Sequence, residues 1–276
     1  PSDTRAAAWR PDRASTMPVK VTSGPMDARR RKVMSIRIGL DPHQSISECF
    51  RLSRGRAAAC NLASAMDVVA VSPDLSAEMV LDAYPRGLFP MAYVEGGLIT
   101  WHRPKIRAII PLNASHVPRR LARTMAQGRF EVTFDTAFRE VMNGCALGRP
   151  VWISDDFHRV YGELHDRGLA HSVEVWVPGT SELAGGLYGL AVGGAFFAES
   201  KFHRARDASK VAVVSLIQRL VARGFGLLEV QYLTDHLKQF GTIEVSHREY
   251  MNRLARALDL PVAFGPPSPR RVRPVE

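Results

Sequence analysis

Two acidic residues stand in segments that are apolar enough to be buried. Glu199 directly follows the glycine-rich run 183–198, and Glu229 lies in the segment LLEVQ, two residues before Gln231. A buried carboxylate is unfavourable without a partner, so each needs either an ion pair or a chemical role. Because residues two apart in a strand point to the same face, we expect Glu229 and Gln231 to lie side by side. We predict that Glu199, Glu229 and Gln231 are catalytic; the structural alternative is ion pairing with Lys201, Arg204 or Lys210.

The net charge of +10 lies mainly in two tails. Residues 1–66 hold 12 Lys or Arg against 5 Asp or Glu, and residues 265–276 hold 3 against 1. The high isoelectric point is therefore weak evidence for a polyanionic partner. Residues 1–66 also lack a sustained apolar period, so we expect a largely disordered extension, with a transit peptide as the alternative. We expect residues 265–276 to form a second flexible tail.

Residues 101–130 contain seven Lys or Arg and no acidic residue. A helix is predicted from Ser115 to Gln127, with Pro118 in its first turn, and it places Arg119 and Arg123 on one face. Like charges at this spacing repel each other unless an anion compensates them. The segment therefore favours a phosphate-binding face over a merely solvated basic helix, and its candidate contacts are Arg119, Arg120 and Arg123.

The cysteine pattern is that of a reducing compartment. Cys49, Cys60 and Cys145 are widely spaced and form no CxxC pair, so neither a disulfide framework nor a zinc site follows. The longest uncharged run, residues 183–198, spans 16 residues with five glycines, which is too short and too glycine-rich for a membrane span. We expect a cytoplasmic monomer without a metal ion, a cofactor or a membrane partner.

Between the tails, helix-like and strand-like segments alternate, which predicts an α/β (α+β) fold. Predicted helices begin at Ser76, Asp135, Ser154, Asp207 and Ser246, each a residue type that caps helix N-termini. The segments 171–177, 182–190 and 195–202 predict an antiparallel meander, and 227–232 predicts a further strand.

A series of short motifs runs through the chain in a fixed order. It includes YPRGLFPM (84–91), ITWHRP (99–104), HSVEVW (171–176), GGLYG (185–189), FFAESKF (196–202), DASK (207–210) and EVQYLTDH (229–236). This series, spread over about residues 67–251, resembles the leucyl/phenylalanyl-tRNA–protein transferase family. The resemblance implies a small N-terminal lobe at 67–105 and an acetyltransferase-like catalytic domain at 106–264.

The resemblance also implies an activity. Leucine or phenylalanine, with methionine as a further candidate, would move from the 3′ end of an aminoacyl-tRNA to an N-terminal Arg or Lys of a protein, marking it for N-end-rule degradation. The aminoacyl ester is already activated, so no ATP site is needed, and no GxxxxGK phosphate loop is present.

Individual roles follow from the same resemblance. Glu229 would attract the proton of the attacking amine, through or beside Gln231, and Gln231 would orient that amine. Glu199 would anchor the terminal ribose or the aminoacyl amino group, and Trp152 would stack near the terminal adenosine unless it is a structural core residue. The remaining substrate contacts are expected from Leu187, Phe196, Val213, Leu216, Leu220, Tyr84 and Met91; taken alone, the apolar members are ordinary core residues.

The sequence departs from the family pattern at four positions. The family usually has aspartate at Glu229, tryptophan at Met91, asparagine at Thr234 and methionine at Lys201. Glu229 must retract by one methylene, Met91 cannot stack as an indole does, and Lys201, expected on the strand face of Glu199, would bring a cation to the substrate. These departures leave open a different amino acid, a small-amine acceptor or a tRNA-binding relative without catalysis. An acyl-CoA acetyltransferase is disfavoured, because the strand–helix junction HRARDAS lacks glycine.

Overall fold

The computed structural model describes residues 67–93, 98–147 and 153–267. The strands are β1 (Val68–Ser72), β2 (Phe89–Tyr93), β3 (Leu98–His102), β4 (Ile106–Ile110), β5 (Glu131–Phe134), β6 (Ala170–Trp176), β7 (Leu183–Val192), β8 (Ala195–His203), β9 (Leu227–Glu229) and β10 (Ile243–Ser246). The helices are α1 (Ala77–Ala83), α2 (Arg119–Ala126), α3 (Phe138–Ala146), α4 (Asp155–Asp166), α5 (Ala208–Arg223), α6 (Asp235–Lys238) and α7 (His247–Leu258). A 3₁₀ turn, Tyr84–Arg86, extends α1.

The strands form two sheets. The small sheet is antiparallel in the order β1-β3-β2, and the large sheet has seven strands in the order β10-β4-β9-β8-β7-β6-β5. Strands β8 and β9 pair in parallel, and the other neighbouring pairs of the large sheet are antiparallel. The predicted α+β class and the β6-β7-β8 meander are confirmed.

Both faces of the large sheet are covered. Helix α3 packs on one face of β6, β7 and β8, and α5 packs on β6, β7 and β8 from the other. The α3 side shares its core with α4, α7 and the small sheet, and its largest buried side chains include Tyr84, Phe157, Tyr161, Tyr188 and Phe197. The α5 side buries Val211, Val214, Ile217 and Leu220 together with Phe196 and Leu228. Strand β7 is buried along nearly its whole length, which explains its continuous sequence of apolar residues and glycines.

The helix starts were predicted with mixed success. Ser76 and Ser246 are N-caps whose hydroxyls accept hydrogen bonds from Met79 N and Glu249 N, as expected. Asp135 is not a cap: α3 begins after Ala137, and Asp135 accepts hydrogen bonds from Ser172 N and faces His171. The prediction was wrong because tertiary partners on β6 satisfy the carboxylate instead.

Ser154 and Asp207 stand at the N-cap positions of α4 and α5, but neither side chain caps its helix. Helix α2 is shorter than the predicted 115–127, and Pro118 is its N-cap rather than part of its first turn. Arg219 donates hydrogen bonds to the carbonyls of Phe264 and Pro266, which holds the start of the predicted C-terminal tail. The predicted extension 1–66 lies outside the described residues, and within the described part no helix is long and apolar enough to cross a membrane.

Candidate active site

Glu229 ends β9 with its carboxylate completely buried. Its Oε1 accepts hydrogen bonds from Arg107 Nη1 at 2.7 Å and from the Gln231 backbone N–H at 2.9 Å, while its Oε2 accepts a longer one from Gln231 Nε2 at 3.3 Å. Burial raises the pKa of Glu229, and the Arg107 guanidinium opposes that rise. Because the surrounding groups are all donors, they favour a carboxylate that only accepts hydrogen bonds.

Gln231 lies in a tight turn rather than in a strand. Its φ is 56°, in the left-handed region, and Tyr232 N donates to the Val230 carbonyl at 2.7 Å across it. The predicted strand 227–232 is therefore wrong beyond Glu229, and so is the argument that Glu229 and Gln231 share a strand face. The turn nevertheless folds the Gln231 side chain back onto Glu229, so the two groups meet as predicted. Positive φ at a residue other than glycine is uncommon and often marks a functional site.

Glu199 sits at a β-bulge in β8. Tyr188 pairs with Ser200 and Gly189 with Ala198, so Glu199 and Ser200 together oppose one residue of β7. Gly189 makes this possible, because a Cβ there would lie 2.2 Å from the Phe197 carbonyl oxygen. The Glu199 carboxylate accepts a hydrogen bond from Tyr84 at 2.6 Å, and the Tyr84 hydroxyl lies 2.7 Å from that of Tyr161.

The pKa of Glu199 is raised to about 8, because burial disfavours its charged form and the nearby Glu229 adds to this effect, while the Tyr84 hydrogen bond opposes it. The side chain is half-buried and lines two cavities, so water that enters them moderates the rise. Two carboxyl groups in one site therefore have different environments: Glu229 is held by a cation, and Glu199 by tyrosine hydroxyls.

A first cavity of about 160 Å³ opens beside Glu199. Leu187, Val213 and Leu216 line it as predicted, together with Ile110, Leu228, Val230 and Leu237. Phe196 and Leu220 do not line it; they belong to the buried core behind it, where Phe196 stacks on Phe264. The sequence could not distinguish residues that line the cavity from residues of the core behind it, because all five predicted pocket residues belong to the same buried layer.

A second cavity of about 200 Å³ lies between β2 and β8. Phe89, Pro90 and Met91 form its wall on the small sheet. It shares Glu199, Ser200, Lys201 and Gln231 with the first cavity, so the two meet at these residues. Glu229 lines neither cavity and reaches them through Gln231.

Lys201 lies on the opposite strand face from the one expected. The bulge shifts the alternation of β8, so Lys201 pairs with Leu187 of the α5 side, whereas Glu199 contacts Tyr84 on the α3 side. Lys201 still lines both cavities, and its charge is one of the causes, after burial, that lower the pKa of His236 to about 4.

The remaining predicted contacts are Arg119, Arg120, Arg123, Trp152 and Tyr84. Arg119, Arg120 and Arg123 are exposed on α2, and Trp152 lies outside the described residues. Tyr84 is buried against Glu199 and lines neither cavity. Among the described residues, no group of three or more His, Cys, Asp or Glu side chains could hold a metal ion.

Sequence reasoning missed Arg107 and Tyr161. Arg107 was counted among the basic residues of 101–130, although the apolar strand IRAII around it is itself a signal of a buried arginine that needs a partner. Nothing in the local sequence singles out Tyr161 or indicates that its hydroxyl would meet that of Tyr84.

A largely apolar cavity and a second cavity meet at four polar residues, behind which lies the buried carboxylate of Glu229. This arrangement suits an enzyme that brings two substrates together, as a group transferase does. The family model described as leucyl/phenylalanyl-tRNA protein transferase matches residues 109–255, and the model described as its N-terminal domain matches residues 73–105.

Individual relatives carry the same description. A leucyl/phenylalanyl-tRNA–protein transferase of Caulobacter vibrioides (strain NA1000 / CB15N) is 50% identical over 190 residues, which is 67% of this chain and 87% of the relative. Those of Nitrobacter winogradskyi and Gloeobacter violaceus are 48% and 47% identical, over 70% and 69% of this chain and 88% and 97% of theirs. The chain belongs to the leucyl/phenylalanyl-tRNA–protein transferase family. The family membership and enzyme class predicted from the motifs are confirmed.

Proposed function

We propose that the protein transfers leucine or phenylalanine, and also methionine, from an aminoacyl-tRNA to the N-terminal Arg or Lys of an acceptor protein, marking that protein for N-end-rule degradation. The observation that carries the proposal is the meeting of an apolar and a more open cavity at Glu199 and Gln231. Family membership supports the same reaction.

The apolar cavity suits the side chain that is transferred. Leu187, Val213 and Leu216 would contact it, and Phe196 and Leu220 would support that wall from the core behind. A linear or γ-branched apolar side chain gains from burial there, whereas alanine leaves most of the space unfilled.

The second cavity, bounded by Met91, would hold the amine of the acceptor beside the aminoacyl ester. Glu199 stands where it can anchor the terminal ribose or the aminoacyl amino group, and Tyr84 holds it there. Trp152 stays a proposed contact of the terminal adenosine, and Arg119, Arg120 and Arg123 would contact phosphates of the tRNA.

The chemistry requires the amine to lose a proton as it attacks the ester carbon, while the leaving ribose oxygen gains one. Gln231 Nε2 donates to Glu229, so its Oε1 is left to accept a hydrogen bond from the amine. The Glu229 carboxylate acts through this amide and stabilises the positive charge that develops on the attacking nitrogen. Holding amine and ester together supplies most of the remaining rate.

A different transferred amino acid is the second candidate, because Lys201 brings a cation to the apolar cavity. We further propose that the enzyme is a monomer and acts in the cytoplasm. The proposed compartment rests on the cysteine pattern alone.

The test is a transfer assay with radiolabelled Leu-, Phe- or Met-tRNA and a protein that starts with Arg. We expect label in the precipitated protein, and none when the same protein starts with an acetylated residue. If no acceptor becomes labelled, whether it starts with a basic or an acidic residue or is a small amine, the proposal is overturned. The protein would then be a tRNA-binding protein without transferase activity.

A further inference from the structure

Arg107 is a fully buried cation that joins three parts of the site. It projects from β4 and donates Nη1 to Glu229 Oε1 at 2.7 Å, and its side chain is 1% exposed. Its Nη2 donates to the carbonyl of Gly87, which follows the 3₁₀ turn. Its guanidinium carbon lies 4.8 Å from the ring centroid of Phe89 and 4.6 Å from that of Tyr250.

Stability alone does not account for such an arrangement. Replacing a buried ion pair by apolar residues of similar volume is often neutral or stabilising, so the pair is weak evidence for a purely structural role. In addition, Arg107 Nε has no hydrogen-bond partner among the described residues, which adds a desolvation cost.

The pair has a direct effect on Gln231. While Glu229 is ionised it can only accept hydrogen bonds, so the Gln231 amide must turn its Nε2 toward Glu229 and its Oε1 toward the cavities. A protonated Glu229 could donate instead, and the amide could then reverse. The reversed amide would present N–H groups to the lone pair of the attacking amine and would block it.

Arg107 also holds the wall of the second cavity. The Gly87 carbonyl and the Phe89 ring that it contacts belong to the segment 84–91, which carries Tyr84 at one end and Met91 at the other. Gly87 has a φ of 73°, and a Cβ there would lie 2.7 Å from Met251 Sδ, so this segment is closely fitted.

We propose that Arg107 is a positioning residue for aminoacyl transfer: it keeps Glu229 in its acceptor-only form and thereby fixes the Gln231 amide with its oxygen toward the substrates. The inference rests on the proposed function. Arg107 itself does not contact the substrate in this proposal.

Other titratable groups lie near Arg107 and Glu229, and their titration must be distinguished from that of Glu229. Near Glu229 these are Glu199, Tyr161, Tyr232 and Tyr250, and near Arg107 they are His102 and His247. Burial raises the pKa values of the three tyrosines and lowers that of His102 to about 4, so they keep one form near neutral pH. The Arg107 charge also lowers the pKa of Glu199, so its loss would raise both carboxyl pKa values. Comparing Glu199→Gln with Glu199→Gln/Arg107→Met removes the Glu199 contribution and leaves that of Glu229.

The first experiment measures kcat for transfer from pH 6 to 8.5, with spontaneous deacylation of the tRNA subtracted. In the parent protein kcat should fall at low pH, where Glu229 becomes protonated. Arg107→Met should move this fall to higher pH by about 1–3 pH units, because an adjacent cation lowers a carboxyl pKa by that amount. Arg107→Lys keeps the charge and should restore the pH dependence of kcat seen in the parent protein. Arg139→Met, which removes an exposed pair with Asp166, is the matched control and should change nothing.

A merely structural Arg107 would lower activity by the same factor at every pH, and an unshifted pH dependence of kcat in folded Arg107→Met would overturn the proposal. If that variant does not fold, Glu229→Gln is compared with Arg107→Met/Glu229→Gln, in which no buried charge is left unpaired. Equal kcat values would show that Arg107 acts through Glu229; a further decrease of tenfold or more in the folded double variant would contradict it. No transfer by the parent protein itself would instead refute the proposed function.

Discussion

Phe197 and Glu229 are direct partners across the parallel strands β8 and β9. This register brings Glu199, two residues beyond Phe197, to the end of β9, where Gln231 turns back toward Glu229. The two carboxyl groups are therefore neighbours because one short parallel pairing places them together, although thirty residues separate them in the chain.

Removing either member of the Glu229–Gln231 pair should abolish most activity. We expect Glu229→Gln or Gln231→Ala to lower transfer by at least about 100-fold, as is typical of positioned acid–base groups, while the protein stays folded. Glutamine is preferable to alanine at 229, because its amide oxygen can still accept the hydrogen bond of Arg107, whereas alanine would leave that donor unpaired. The exposed Glu244→Gln on β10 is the control, and near-normal transfer by either site variant would refute the proposed roles.

The basic helix α2 should contribute to tRNA affinity by neutralising phosphates. Arg119→Gln/Arg123→Gln should weaken binding of aminoacyl-tRNA and flatten its salt dependence, by roughly 0.7–0.9 in log–log slope for each phosphate that is no longer neutralised. Arg139→Gln/Arg167→Gln removes the same charge from exposed ion pairs elsewhere and should leave the slope unchanged. An equal slope for both double variants would make α2 an ordinary solvated helix.

Lys201 should decide which side chain the apolar cavity accepts. Transfer from Leu-, Phe-, Met- and Asp-charged tRNA is compared between the parent protein and Lys201→Met. A preference for Asp in the parent and for Leu in the variant would show that Lys201 contacts the transferred side chain. Equal preference for Leu in both would place the ammonium group outside the pocket, and we then expect alanine to be rejected more strongly than any of Leu, Met and Phe, since each misfit methylene costs about 1–3 kcal/mol.

The raised pKa of Glu199 should appear in the pH dependence of stability. Between its ordinary value of 4.5 and about 8, the folded protein binds more protons at this group than the unfolded chain, so stability falls as pH rises. Glu199→Gln removes this decline and should gain on the order of 1–3 kcal/mol in relative stability between pH 5 and 8.5. Urea unfolding measures it, and Glu182→Gln, an exposed change, is the control; parallel curves for Glu199→Gln and the parent would exclude the shift.

Much of the fold could be predicted because local sequence and tertiary structure agree there. The β6-β7-β8 meander follows from strand-like segments separated by short turns, and α7 follows from the cap at Ser246. The helix cap predicted at Asp135 was wrong because a capping residue type says nothing about partners elsewhere in the chain. The Asp135 carboxylate is hydrogen-bonded to His171 and to the backbone N–H of Ser172 instead.

Of the candidate site, the sequence indicated the two buried acidic residues but not their geometry. Glu199 and Glu229 stand out because a charge interrupts apolar sequence. The turn at Gln231, the bulge at Glu199 and the partner Arg107 arise from pairing between distant strands, and no pattern within one segment encodes them. The face of Lys201 was mispredicted for the same reason.

In β8 the number of residues matters as well as their types. A regular ladder against β7 would need one residue fewer, and such a shortened strand would pair without interruption. Strand β8 keeps all its residues, however, and in a ladder without the bulge Lys201 would oppose Gly186, on the face of Glu199 and Tyr84. The bulge therefore separates the Lys201 ammonium group from the Glu199 carboxylate, because it sends the two side chains to opposite faces of the same strand.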